Sequence, residues 1–424
     1  MANTTDPRRV AEIMLSWLGL DLVSISEIQT LWAGYGHTCA VVARTSNEEI
    51  APRLCHVCGQ SGVTKDPNIF HLILKLVSPP VDLGSHDEGH IRKMLSYEVE
   101  QYFYEEIAPR LEDDVAVARC LASTRNMKSR EGAEELEGLT AIVMTDLRTK
   151  FTVMGESRGV LTATQVYAAL RWLARFHGGS WKYIPRGDLD KFLLPPLEEA
   201  NRRRVKPQAG GEELWLNGGY TYLATRRKEY RSLLGDSESE WSRAFCSPNG
   251  GCSQSIAEKV ALFLTPRGRP FETYIHGDVK SENLFTTELG DQVAFFDFQY
   301  AGLGLGVCDL AKLFTCSVPL ELLVARAQFS EEELAMGQGE TELLVRYHRE
   351  LLRHRPANSS WTYSWDEFVR HWETALVDWC RFQASWGFWG NTEWLEARVR
   401  SILGDEGWQN WLDAEVRQLE TPVR

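Results

Sequence analysis

The stretch that most constrains how this chain can fold is residues 273–299, TYIHGDVKSENLFTTELGDQVAFFDFQ. Two short β-prone runs, Thr273–Ile275 and Val293–Phe296, are apolar enough to require burial on strands. Between them the polar segment His276-Gly277-Asp278-Val279-Lys280-Ser281-Glu282-Asn283 must form a loop. The second run ends in Asp297-Phe298-Gln299, and Asp297 follows Asn283 by fourteen residues. Two carboxylates, an amide and a lysine are therefore delivered at the ends of buried strands, the kind of place where rigid scaffolds carry chemistry. An isolated His-Gly-Asp would mean little, but the combination with both strand contexts is specific.

These residue types suit phosphoryl transfer, which depends on positioning and on neutralising charge. Magnesium takes oxygen ligands, commonly one or two protein carboxylates completed by phosphates and water. Asn283 and Asp297 offer one neutral and one charged ligand. Asp278 is placed to orient or deprotonate an attacking hydroxyl, and Lys280, two residues on, to reach the transferred phosphoryl group. His276 reads as a hydrogen-bonded structural residue rather than a proton shuttle.

The block resembles the aminoglycoside phosphotransferase and choline kinase superfamily, in which His-Gly-Asp replaces the His-Arg-Asp of protein kinases. Within it the chain looks most like the ecdysteroid-kinase-like branch of small-molecule kinases. Leu173-Ala-Arg-Phe-His177-Gly-Gly-Ser-Trp181 is similar to that branch's LA-x-x-H-x-x-SW helix end. Asp297-Phe298-Gln299 matches its DFQ, and Cys308-Asp309-Leu310-Ala311 resembles the segment whose Asp braces the catalytic loop. The chain departs from the pattern at Thr145-Asp146-Leu147, where Glu-Asp-Leu is usual, and in the sparse glycines of Ala33-Gly34-Tyr35-Gly36-His37. The resemblance implies an α+β, protein-kinase-like fold in two lobes. Residues 1–148 would be a small β-rich nucleotide lobe. Residues 149–424 would be a larger, mostly helical lobe with the catalytic loop, metal site and acceptor region. It also implies ATP and Mg2+, with GTP left open as donor, and a small-molecule hydroxyl acceptor.

Ile25–Leu31 and Cys39–Ala43 are β-prone runs around Gly34 and Gly36, whose permissive backbone would let N–H groups approach phosphate. Phe70–Val77 is an apolar strand interrupted by Lys75, a cation too costly to bury alone. Residues 91–107 have helical spacing and supply Glu98 and Glu100 in one turn. The family's E-x-x-x-Y…P pattern assigns the ion pair to Glu100, leaving Glu105 and Glu106 on a solvated face. The resemblance also puts Met144 and Asp146 at the adenine hinge. Cys55-His-Val-Cys58 has no second half at metal-binding spacing and reads as free thiols in a hairpin insertion.

The charge of −13 argues against nonspecific nucleic-acid binding and against an anionic membrane. Nine cysteines without a disulfide-framework spacing suggest a reducing cytoplasm, and neither a signal peptide nor an apolar run of spanning length is seen. Thr162 and Gln165 offer a capping box for a helix reaching His177, with Val166, Ala169, Leu170, Leu173 and Phe176 as its core stripe. Residues 124–137 read as an exposed hairpin loop and 235–255 as a mobile connection. Trp365, Trp372, Trp379 and Trp386 recur every seven residues and share a helix face. Most of that face should be core, while one end is a candidate wall for an aromatic, steroid-like or amine-bearing acceptor. Two other readings are a Ser/Thr protein kinase and a catalytically silent pseudokinase-like binding module. Against the first, Gly277 replaces the Arg that couples to activation loops, and Asp309 follows Gln299 too soon for a peptide-docking loop.

Overall fold

The computed structural model describes residues 5–59, 66–79, 87–185, 187–206, 213–248, 253–325 and 330–420. The chain forms two compact units. One runs to Val153 and includes Ala294–Gln299; the other comprises Met154–Val293 and the chain from Tyr300 on.

The first unit is built on an antiparallel sheet of β1 (Asp21–Thr30), β2 (Gly36–Arg44), β3 (Ile69–Val77), β4 (Cys120–Ser123) and β5 (Thr140–Thr145), in the order β1-β2-β3-β5-β4. Period-two alternation puts Phe70, Leu72, Leu74 and Leu76 of the central strand on one fully buried face. That face packs with Val10, Met14 and Leu15 of α1 (Pro7–Ser16), a helix started by an Asp6 cap and Pro7. Helix α3 (Glu88–Tyr102) follows an Asp87 cap and continues into one wider π turn, Phe103–Ile107. The segment around Cys55 and Cys58 is an insertion in the antiparallel β2–β3 hairpin, as expected, and residues 52–57 of it lie on helix α2 (Ile50–Val57), whose Ala51 and Leu54 pack into the sheet core; Gln60 lies outside the described residues.

The second unit is mostly helical. Its helices are α4 (Ala163–Ser180), α5 (Pro196–Val205), α6 (Arg227–Leu234), α7 (Glu240–Cys246), α8 (Ile256–Leu264), α9 (Val307–Cys316) and α10 (Leu320–Leu323), then α11 (Gln338–Arg353), α12 (Trp365–Trp386), α13 (Thr392–Gly404) and α14 (Glu406–Glu420). The Thr162–Gln165 capping box forms as its residue types dictate, and the stripe from Val166 to Phe176 is buried. Residues 235–255 contain helix α7, so they are not simply a connection; residues 249–252 lie outside the described part. Residues 124–137 do close a β4–β5 hairpin, but Thr124 and Leu136 are buried there. Strand β6 (Glu272–Ile275) pairs antiparallel with β9 (Gly302–Leu305), and β7 (Leu284–Thr286) and β8 (Val293–Phe295) flank a turn. A β-rich amino-terminal unit and a mostly helical carboxy-terminal unit make the α+β, two-lobed, protein-kinase-like fold expected. No helix among the described residues is long and apolar enough to cross a membrane.

Trp372 and Trp379 on α12 are core, as that stripe requires, whereas Trp386 at its end is exposed. His371 beside them is buried, its Nδ1 bonded to the Tyr363 hydroxyl at 2.7 Å. Burial, aided by the charge of Arg269, pushes its imidazole down to about 3. Between that value and the unfolded 6.5 the unfolded chain binds a proton that the folded one does not, so stability is lost as pH falls. This group should cost the protein about 1.4 kcal/mol per pH unit below about pH 6.5. Urea unfolding of His371→Gln should therefore show a shallower acid loss; parallel pH profiles for the two proteins would contradict it.

Candidate active site

In the amino-terminal unit, β3 carries Lys75 and α3 carries Glu100, and their charged ends meet at 2.5 Å. Asp297, just past β8, lies 3.1 Å from the same ammonium. Burial alone would lower the lysine, but Asp297 and Glu100 outweigh it and hold Lys75 well above its ordinary range. Burial raises the Glu100 carboxyl against the pull of Lys75, and Asp297 adds to the rise, leaving it at about 7. Two carboxylates thus share one ammonium, a negative excess that a divalent cation at Asp297 would offset.

Asp297 has a left-handed backbone (φ 65°), tolerated by Asp more than by most residues. The residues after it anchor the turn. Phe298 stacks on Phe103 at 3.6 Å, Gln299 hydrogen-bonds Glu100, and Ser96 Oγ donates to Gln299 Oε1 at 3.2 Å. A glutamine at this position therefore ties the Asp297 turn to helix α3.

The segment between β1 and β2 is a 3₁₀ turn, Trp32–Gly34. Gly34 (φ 73°) faces open space, whereas a Cβ on Gly36 would lie 2.0 Å from the Leu76 carbonyl oxygen. Packing against β3 by itself accounts for Gly36. Met144 sits buried in β5 opposite Ile73. The Asp146 carboxylate is committed to Arg148, with Nη2 at 2.6 Å, so a nucleotide contact there would fall to the backbone. Among the described residues no cluster of His, Cys, Asp and Glu has the form of a metal cage. Cys55 donates to the Pro67 carbonyl, and burial pushes the Cys58 thiol up to about 12.

In the helical unit, β6 delivers His276-Gly277-Asp278 and α9 supplies its brace. Asp309 is fully buried, and its Oδ2 and Oδ1 accept from the His276 and Gly277 amides at 2.7 and 2.9 Å. His177 Nε2 approaches Oδ2 at 3.1 Å, while its Nδ1 meets the Tyr347 hydroxyl at 2.7 Å. Burial would raise the Asp309 carboxyl, but the hydrogen bond and charge of His177, with Lys312, hold it below the usual range. Ser180 Oγ accepts the Tyr274 amide at 3.0 Å, so both polar residues of the α4 end serve strand β6. Lys312, one helical turn beyond Asp309, donates to the Gly277 carbonyl at 2.5 Å. The sequence reading missed Lys312. Its spacing of three from Asp309 on a helix is the signal that marks it.

Gly277 has φ 82°, and a Cβ there would lie 2.3 Å from the Tyr300 carbonyl oxygen, which leaves no room for an arginine. Asp278 follows. Its Oδ2 accepts from Asn283 Nδ2 at 2.9 Å and lies 3.2 Å from Lys280 Nζ. The same Asn283 nitrogen reaches the Asp278 carbonyl at 2.8 Å, so the amide oxygen is the atom Asn283 has for a cation. Lys280 also pairs with Glu282 at 2.6 Å. The Asp278 amide donates to His276 Nδ1 at 3.2 Å, giving that ring a loop-holding contact.

A strand lysine paired to a helix glutamate, and an Asp–Asn loop braced by a buried carboxylate, are the furniture of kinase-type phosphotransferases. Residues 60–331, more than half of the chain, match the ecdysteroid kinase-like family, and the chain belongs to that family. No curated protein matches its sequence. Among solved structures it is similar to choline kinase from Cryptosporidium parvum Iowa II, with 12% identity over 95% of this chain and 89% of that one and a TM-score of 0.37. Plasmodium vivax ethanolamine kinase is similar at 11% identity over 95% and 83%, TM-score 0.37. A thermostable mutant of aminoglycoside phosphotransferase APH(4)-Ia, in ternary complex with ADP and hygromycin B, is similar at 10% identity over 99% and 100%, TM-score 0.38. At such identities and scores the assignment rests on the family match.

Asp309→Asn would present an amide N–H where three donors now find oxygens. We expect a loss of about 3 kcal/mol and a lowered melting temperature. An unchanged melting temperature would contradict the brace.

Proposed function

We propose that this protein is an ATP- and magnesium-dependent small-molecule kinase that transfers a phosphoryl group to a hydroxyl of an organic acceptor. The observation that carries the reading is the Asp278 carboxylate, oriented by Asn283 and Lys280 on a loop whose preceding amides are bound by Asp309. Such a carboxylate suits a hydroxyl that must be aimed at phosphorus and relieved of its proton. In this reading Asn283 contributes its amide oxygen and Asp297 its carboxylate to magnesium, which when bound offsets the charge of phosphate oxygens. Lys75, fixed by Glu100, holds phosphate oxygens of the donor, and the backbone around Gly34 is open to them. Lys280 meets the charge of the group in transfer. Backbone groups near Met144 and Asp146 receive the base, with ATP the preferred donor.

The described cysteines are free thiols, which supports a reducing, cytoplasmic setting. The family and the catalytic block favour a small-molecule acceptor over a protein, and the absence of room for an arginine at 277 fits the same choice.

Replacing Asp278 by Ala should lower turnover by ~10²–10⁴-fold while ATP still binds, as read by steady-state kinetics beside calorimetric titration. Near-normal turnover in that variant would sink the assignment.

A further inference from the structure

The turn between β1 and β2 has a backbone that its own residues do not favour. Ala33 is left-handed (φ 58°) directly ahead of Gly34 (φ 73°). Glycine adopts that conformation freely, whereas an alanine in it is strained. The turn therefore needs support from outside, and helix α3 supplies it.

Trp32 and Tyr35 flank the strained pair, and one side chain of α3 reaches both. Lys93 Nζ lies 4.1 Å from the Trp32 ring centroid and 4.3 Å from that of Tyr35. Tyr35 is 1% exposed, and its hydroxyl meets His90 Nδ1 at 2.8 Å. Its ring packs with Leu31, Val77, Tyr97 and Met94, so this end of the turn is anchored in a small core. Trp32, at 75% exposed, has little burial to hold it, and the Lys93 ammonium is its anchor. Burial holds Lys93 below its ordinary range against the charge of Asp87.

The same face of α3 serves the rest of the donor site. Ser96, Tyr97 and Glu100 follow Lys93 at helical spacing. Ser96 donates to Gln299 beside Asp297, the Tyr97 ring lies 5.8 Å from Lys75 Nζ, and Glu100 pairs with Lys75. A loop clasped to this face is held in register with the lysine and carboxylate that the proposed function gives to phosphate and metal.

We propose that Lys93, Trp32 and Tyr35 form a clasp that positions the β1–β2 loop for the phosphates of the donor nucleotide. Lys93 is a positioning residue, since its charge is directed at the two rings and acts through the loop. The inference rests on the reading of the backbone around Gly34 as open to phosphate oxygens, and it adds what fixes that backbone.

The test is calorimetric titration of the full chain with magnesium-ATP and with adenosine. Lys93→Met and Trp32→Ala should each weaken ATP by about tenfold and leave adenosine unchanged, because adenosine has no phosphate for the loop. The double variant should bind ATP no more weakly than either single one, since both remove the same contact. Lys93→Arg, which keeps a cation over the rings, should retain most of the affinity. Full ATP affinity in both single variants would overturn the proposal, as would an absence of ATP binding by the unaltered protein. Additive losses would overturn it by marking a direct phosphate contact of Lys93, and equal losses for adenosine by marking general damage to the unit. The expected pattern in a protein that phosphorylates no alcohol would uphold this inference and reject phosphotransfer. Phosphorylation of an alcohol, with ATP affinity undiminished in the variants, would do the reverse.

Discussion

Asp309 is a charged carboxylate with no solvent exposure, and removing such a group from water costs several kcal/mol. Two consecutive backbone amides and the His177 ring supply the hydrogen bonds that offset the cost. Because the amides belong to His276 and Gly277, satisfying the carboxylate also fixes the direction in which the chain leaves β6. Asp278 is the next residue, so its backbone direction is set by a carboxylate it does not itself bind, and its amide adds a bond to the His276 ring. His177 is held in turn by Tyr347, and the α4 end holds β6 through Ser180. Lys312 completes the clamp by taking the Gly277 carbonyl. Loss of any one member leaves a buried polar group unsatisfied, which couples local geometry to stability.

The amino-terminal unit solves a different problem. Lys75 is buried on a central strand and needs a counter-charge, yet Glu100 and Asp297 together oversupply it. The excess shows in Glu100, which is raised by burial and by its fellow carboxylate despite the lysine beside it. In the proposed function a divalent cation at Asp297 offsets this excess. The Gln299–Glu100 contact and the Phe298–Phe103 stack hold the strained Asp297 backbone in place, so the negative excess is kept at one spot.

The parts of the fold that the sequence discloses are those where side-chain chemistry and period coincide. Lys75 in an apolar run, the Thr162–Gln165 box and the strands around His276 each obey one local rule, and each forms. The insertion in the β2–β3 hairpin is legible from its flanking strands, while helix α2 within it is disclosed by packing, through Ala51 and Leu54 in the sheet core. Helix α7 was hidden in a Ser-rich stretch whose Trp241 and Phe245 carry the burial signal. Lys312 is marked by its spacing of three from Asp309, but that spacing does not disclose the Gly277 carbonyl brought to it from 35 residues away. Gly36 has a phosphate-binding appearance, and close packing on β3 requires a glycine there as well.

On the tryptophan helix, Trp372 and Trp379 build the core of the helical unit while Trp386 is exposed at its end. The proposed phosphate transfer to a small alcohol rests on family membership, the Asp309 network and the Asp278 loop. The most direct measurement is phosphorus NMR of the protein with ATP, magnesium and a panel of small alcohols. A new phosphomonoester resonance growing with ADP, and absent without magnesium, is the predicted result. ADP and free phosphate alone, or no consumption of ATP with any alcohol, would contradict the account.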